Sequence, residues 1–281
     1  MSEKFEIEAP AKTNLWLEVL GKREDGFHEI RTLMVCLSLA DQLKLEWRDD
    51  DEVVLNCSDP ALPTGEENLV IKAVRAMEKH TGKVFALTIE LEKRIPSGAG
   101  LGGGSSDAAA VIRAINEMAD LNLSEAEMSG VAATIGSDIP FFIYNRPCFC
   151  FGRGEVVEPL DEPVENLPIF LIKPAFEISA GWAYRRYTDS GQYEGFEYWP
   201  QICPWGPMAN SLERPVFEKY PLLGEMKSWL LRQPEVHAAI MSGSGSTMLA
   251  VLRKDAFADE LTARAIERYG ESSWTFCGKT L

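Results

Sequence analysis

The chain has 281 residues, and 28 basic against 43 acidic side chains leave a formal net charge of −15; 46% of the residues are hydrophobic and 10% aromatic. That apolar content excludes a disordered chain and, at this length, suffices for two cores of roughly 100–150 residues each. The sign of the charge opposes a phosphate backbone or an anionic lipid surface, and no basic patch offsets it locally, so neither nucleic acid nor a membrane is an expected partner.

The first ten residues carry neither an apolar signal segment nor an arginine-rich presequence, and no apolar run approaches the roughly 20 residues of a spanning helix, which points to the cytoplasm. Six cysteines without a C-x-x-C pair read as reduced thiols; His28, His80 and His237 are too scattered for zinc, so no metal-ligand set is predicted. Residues 15–20 and 30–39 are apolar strand candidates, and Leu43, Leu45 and Trp47 alternate like a third strand. Asn68 is placed to cap a helix that Thr81-Gly82 ends, after which 85–95 returns to an extended pattern. A glycine-rich loop leads into an alanine-rich helix from about Ser105, and Ser124 with Glu127 forms a capping-box signature for a helix ending near Gly136. The acidic, proline-bounded segment 161–168 is the expected boundary, dividing the chain into 1–162 and 163–281. Beyond it the pattern predicts a strand at 169–172, helices near 180–187 and 210–231, strands around 236–241 and 247–252, a helix over 255–269 and a strand at 274–277. That order makes an α+β second unit. The aromatic, proline-rich stretch 189–207 lacks a period and reads as an irregular loop.

The most informative stretch is Pro96-Ser-Gly-Ala-Gly-Leu-Gly-Gly-Gly-Ser-Ser106, between a predicted strand and a predicted helix. Its glycines let the backbone approach a ligand closely, and the free amides of the following helix, with Ser105 and Ser106, suit anionic oxygens. The loop is therefore a candidate phosphate cradle formed by Pro96, Ser97, Gly98, Ala99, Gly100, Leu101, Gly102, Gly103, Gly104, Ser105 and Ser106. Gly98, Gly100 and Gly103 also fit the G-x-G-x-x-G dinucleotide fingerprint, which keeps a nicotinamide-dependent dehydrogenase as an alternative. Against it, a turn and a new helix cap stand at 121–127 where a second strand and its acidic end belong. A P-loop is excluded, since no Gly-Lys-Ser/Thr follows. A kinase built on this loop needs its lysine and acid from elsewhere, and two candidates exist: Lys12, in a polar triplet before an apolar strand, and Asp138, at an expected helix-to-strand turn beside very apolar sequence. Together they form a phosphoryl-transfer set, an acid to deprotonate a hydroxyl and a lysine to hold it ionised. A third alternative is a module that holds a nucleotide without turnover. Met241-Ser-Gly-Ser-Gly-Ser-Thr-Met248 is either a flexible hairpin or a second backbone nest, with Gly243, Ser244 and Gly245 at its centre. Gly26-Phe-His28 offers an aromatic ring and an imidazole suited to stacking and edge recognition.

Pro10-Ala-Lys-Thr-Asn14, Gly21-Lys-Arg-Glu-Asp-Gly-Phe-His28, Gly100-Leu-Gly-Gly-Gly-Ser-Ser106, Gly136-Ser-Asp-Ile-Pro140 and Met241-Ser-Gly-Ser-Gly245 resemble, in order and across nearly the whole chain, the sequence blocks of the GHMP kinase superfamily. The resemblance is strongest to the branch acting on a diphosphocytidyl-methylerythritol in the non-mevalonate isoprenoid route. It implies an α/β (α+β) two-domain fold, a ribosomal-protein-S5-like N-terminal domain and a ferredoxin-like C-terminal domain, with the site in the cleft between them. It also implies ATP and Mg²⁺ as cofactors, a small-molecule substrate carrying a cytidine diphosphate group, and a monomer or weak homodimer. By the resemblance, Asp138 is the base for the substrate's 2-hydroxyl, Lys12 its charged partner, and Asn14 lies near the reacting group. His28 reads the cytosine edge, and Phe27 and Tyr184 stack; the nest reading of Gly243, Ser244 and Gly245, taken from the residues themselves, has that loop close over substrate or phosphate. The chain departs from the family pattern at Ala180, where threonine is common and a hydroxyl contact is lost. It departs again at Asp107, where asparagine is common; the added negative charge near the phosphates is one that Mg²⁺ is expected to offset.

Overall fold

The computed structural model describes residues 4–161, 164, 166–253 and 258–281. Two long antiparallel strands, β1 (Phe5–Lys22) and β2 (His28–Trp47), form its spine. Both are longer than predicted. Lys12, Thr13 and Asn14 interrupt the apolar pattern, yet they are buried within β1 rather than preceding it. Register shifts between Pro10 and Lys12 and between Asn14 and Trp16 flank them, and such bulges re-aim side chains without ending a strand. The third predicted strand is likewise the continuation of β2. A short strand not predicted at all, β3 (Val53–Cys57), follows an acidic turn and pairs with β4 (Leu87–Glu92), which borders β2.

Four helices cover one face of this sheet. In α1 (Leu69–Thr81) the Asn68 side chain accepts the Val70 N–H and Gly82 closes the helix in the left-handed region, as expected. The next, α2 (Gly103–Met118), buries Ala108, Ala109 and Ala110, small enough for close approach to the sheet. The Ser124/Glu127 capping box opens α3 (Glu125–Ala133). Asp138 precedes not a strand but a short helix, α4 (Ile139–Tyr144). An unbroken apolar run is ambiguous between strand and helix, and Pro140 in its first turn, where the missing N–H is not needed, resolves it. Strands β5 (Cys148–Phe151) and β6 (Val156–Pro159) complete this half, with β5 on β2. The large side chains of this core, Met77, Leu87, Ile89 and Phe141 among them, are fully buried and each contributes about 1.5–3 kcal/mol on leaving water.

The remaining chain builds β7 (Pro168–Lys173), α5 (Ala180–Tyr187), β8 (Gln201–Cys203), β9 (Gly206–Asn210), α6 (Glu213–Lys219), α7 (Pro221–Leu231), β10 (Val236–Met241), β11 (Met248–Leu252), α8 (Ala258–Tyr269) and β12 (Trp274–Lys279). Its four-stranded antiparallel sheet runs β10-β11-β7-β12, the ferredoxin-like order. That sheet lies against the first one: Leu15, Leu33, Val35 and Leu37 share a core with Ile169, Leu171, Ala238, Ile240 and Leu249. The stretch 189–207 is not wholly irregular, because β8 begins within it and β9 pairs in parallel with β1, Trp16 opposite Ala209. The predicted helix over 210–231 is two helices that meet at Tyr220-Pro221. The division at 162/163 and the first residues of the predicted helix over 255–269 lie outside the described residues.

Candidate active site

The two glycine loops meet. In the first, Gly100 has φ +76° and a Cβ there would collide with the Ser242 carbonyl and lie 2.9 Å from that of Gly245, so close packing and backbone angle both demand glycine. The Lys12 N–H donates to the Leu101 carbonyl at 2.9 Å, fastening the loop to β1. From the other side the Ser242 hydroxyl donates to the Gly100 carbonyl (3.1 Å) and itself accepts from the Thr13 hydroxyl (3.1 Å). The second loop is no free hairpin: the Asn210 amide donates to the carbonyls of Met241 (2.8 Å) and Gly243 (2.7 Å). Beneath it the Glu213 carboxylate accepts the Met241 N–H at 2.9 Å and a Lys227 ammonium at 2.6 Å.

At this junction the Lys12 ammonium donates to Asn14 Oδ1 at 2.9 Å and stands 3.7 Å from Asp138 Oδ2. The Asn14 amide donates to the Thr32 hydroxyl (2.8 Å), which donates to the Trp16 carbonyl (2.6 Å). This chain orients Asn14 so that its oxygen faces the ammonium. The Lys12 side chain is 5% exposed, that of Asp138 38%, so the cation is held in the wall while the carboxylate opens into the cleft. A Cβ on Gly243 would lie 3.3 Å from Lys12 Nζ, which brings the second loop to the same point.

The other end is aromatic. His28 is buried, its ring centroid 5.7 Å from that of Tyr184, and its Nε2 has no hydrogen-bond partner. Burial, with Lys22 nearby, holds the imidazole below its ordinary value, so near neutrality it is uncharged and offers one donor and one acceptor. Burial and the charge of Asp138 push the Tyr184 phenol up. Phe27 is half exposed, with the Arg153 guanidinium 4.8 Å from its ring centroid.

One cleft of about 890 Å³ joins both ends, lined by Lys12, Asn14, Phe27, His28, the loop from Pro96 to Ser105, Asp138, Tyr184 and Gly243 to Gly245. Of the residues predicted for the site, Ser106 alone lies behind the wall, 1% exposed and with its hydroxyl unpartnered. Ala180 lines the cleft without a hydroxyl, and the neighbouring Ser179 hydroxyl is engaged as the α5 cap. The Asp107 charge, which Mg²⁺ was expected to offset, has a protein partner, because Asp107 Oδ2 accepts from the Lys93 ammonium at 2.7 Å. Among the described residues no three His, Cys, Asp or Glu side chains group as a metal site. Lys93, Arg153 and Arg185 also line the cleft and were not predicted. Lys93 sits in an alternating charged strand end, Glu92-Lys93-Arg94, which reads as solvated surface.

The sequence model of the GHMP kinases N terminal domain matches residues 68–146, and that of the GHMP kinases C terminal matches 204–271. The chain is 36% identical over 268 residues to a 4-diphosphocytidyl-2-C-methyl-D-erythritol kinase of Methylacidiphilum infernorum, covering 95% of this chain and 93% of that one. It is 40% identical over 243 residues to a kinase of the same name from Protochlamydia amoebophila, covering 86% and 83%. A crystal structure of a 4-(cytidine 5'-diphospho)-2C-methyl-D-erythritol kinase superposes with a TM-score of 0.78 at 34% identity, over 98% of this chain and 99% of that one. A homoserine kinase from Cytophaga hutchinsonii shares the fold, with a TM-score of 0.69 at 19% identity.

Proposed function

The chain belongs to the GHMP kinases, and within them to the 4-diphosphocytidyl-2-C-methyl-D-erythritol kinases; from that premise we propose how its cleft works. The protein transfers the γ-phosphoryl of ATP to the 2-hydroxyl of 4-diphosphocytidyl-2-C-methyl-D-erythritol. The observation that carries the residue assignment is the Lys12 ammonium 3.7 Å from Asp138 Oδ2, where both glycine loops meet. Asp138 takes the hydroxyl proton on a carboxylate oxygen as the hydroxyl oxygen bonds to the γ-phosphorus and the bond to the β,γ-bridging oxygen breaks, releasing ADP. Lys12 compensates the charge on the carboxylate and on the transferring group, and Asn14, fixed through Thr32, aims that ammonium.

The loop from Pro96 to Ser105 and the N-terminus of α2 receive the ATP phosphates on backbone N–H groups. Mg²⁺ would supply charge neutralisation at the ATP phosphates when bound; among the described residues no three His, Cys, Asp or Glu side chains group to hold it. The uncharged His28 imidazole suits a cytosine edge, which carries an acceptor beside a donor, and Tyr184 and Phe27 supply the flanking rings. Ser106, behind the wall, supports the loop and does not touch phosphate.

The test incubates the purified protein with Mg²⁺, ATP and 4-diphosphocytidyl-2-C-methyl-D-erythritol and follows ADP together with phosphorylated product. Stoichiometric formation of both is expected. ADP release without phosphorylated acceptor, or no turnover although ATP binds, refutes the substrate.

A further inference from the structure

Two charged residues on the cleft wall, Lys93 and Asp107, have no part in the phosphoryl transfer described above. They stand on either side of the first glycine loop: Lys93 directly follows β4, and Asp107 lies in the opening turns of α2. The Lys93 ammonium donates to Asp107 Oδ2 at 2.7 Å and also to Asp41 Oδ2. Asp41, on β2, turns its other oxygen to the N–H groups of Arg94 (2.5 Å) and Ile95 (2.8 Å). All three side chains are buried. A Cβ on Gly103 would lie 3.3 Å from Lys93 Nζ, so the ammonium sits against the turn that lines the cleft from Gly102 to Ser105. One cation thus joins β2, the strand leading into the loop and the helix leading out of it.

We propose that Asp41, Lys93 and Asp107 are positioning residues for the nucleotide: they fix the spacing between the two ends of the glycine loop, so that its amides converge on phosphate before ATP arrives. A loop with five glycines in seven residues has more conformational freedom to lose than any other composition, and pinning both ends removes part of that loss from the binding step. The arrangement is poor as a pure stabiliser. Asp107 Oδ1 is buried without a hydrogen-bond partner, and a buried ionic cluster replaced as a whole by well-packed apolar side chains commonly loses no stability. Burial, opposed by Lys93, pushes the Asp107 carboxyl up to about 7, in keeping with a group that strains the fold it serves.

The inference rests on the reading of the glycine loop as the ATP cradle, and the experiment separates the two. Asp107→Ala and Asp107→Asn are compared with wild type by calorimetric ATP titration without acceptor, by KM for each substrate, and by melting temperature. Asp107→Ala leaves Lys93 paired with Asp41, so the protein folds and melts at or above the wild-type temperature. Its ATP affinity falls about tenfold, the scale on which the cost of ordering groups at a binding site acts, while the acceptor KM stays within about twofold and kcat at saturating ATP is retained. Asp107→Asn keeps an oxygen for Lys93 and recovers most of the affinity. Equal ATP binding by Asp107→Ala and wild type overturns the inference alone. So does an affinity loss that tracks a fall in melting temperature, or one that affects both substrates equally. Wild-type protein that does not bind ATP overturns the cradle reading and the inference with it.

Discussion

Two lysine–carboxylate pairs adjoin the second glycine loop and are built to opposite ends. Lys227 and Glu213 are 2.6 Å apart and almost wholly buried, with Lys227 also donating to the Glu197 carbonyl and Glu213 also accepting the Met241 N–H. Lys12 and Asp138 are 3.7 Å apart, and the carboxylate keeps an open face toward the cleft. A saturated pair has nothing left with which to bind or exchange a proton; a stretched, one-sided pair does. The same two functional groups become support or chemistry according to how many partners the fold assigns them.

The sharpest way to break that contrast is to remove charge from each pair. Asp138→Asn is expected to lower turnover by about 10²- to 10⁴-fold, the usual share of a general base, at an unchanged melting temperature; near-wild-type turnover would abolish the distinction. Lys227→Met strands the Glu213 charge in the interior and should cost about 3–5 kcal/mol of stability in urea titration. Stability equal to wild type would mean that the buried pair supports nothing. A smaller effect tests the contact between the two glycine loops: Gly100→Ala meets a left-handed backbone angle, costing about 1–2 kcal/mol for a side chain there, besides the Ser242 carbonyl, and should weaken ATP binding more than acceptor binding.

The smallest effect is a pH slope. Asp107, with a folded value raised from 3.8 to about 7 by burial against the pull of Lys93, holds its proton in the native state over a window where the unfolded chain has lost it. More protons on the folded than on the unfolded chain means that stability falls as pH rises through that window. The stability of wild type relative to Asp107→Asn should therefore decline between pH 4 and 7 and stay level above. A flat difference across that range would show that the carboxylate is not held protonated.

Much of the site is legible in the sequence because it is made of local signals. The glycine loop running into an alanine-rich helix, the Asn68 and Gly82 caps and the Ser124/Glu127 box each depend on residues a few positions apart, and each forms as expected. The five sequence blocks that carry the resemblance add the order in which such local pieces occur. What escaped depends on distant partners. Lys12 and Asn14 look like a loop because strands that carry buried polar residues lose their alternation; only the Thr32 chain and the opposing glycine loop make those positions part of β1. Lys93 looks like a surface charge because its two carboxylates lie 52 and 14 residues away. The short strands β8 and β9 have no pattern of their own, and β9 joins the first sheet through the edge that β1 offers it.

That last pairing bears on how the chain reaches its native state. Residues 16 and 17 of β1 find their partners at 209 and 210, so the first sheet stays unfinished until nearly three-quarters of the polypeptide has been made. During synthesis β1 presents an open edge, the kind of surface that recruits other nascent chains. Contacts of such long sequence separation also slow folding, since the intervening chain must be closed before the contact stabilises anything. Refolding yield should consequently depend on protein concentration, and a peptide carrying residues 201–210 added in excess should raise it by occupying that edge.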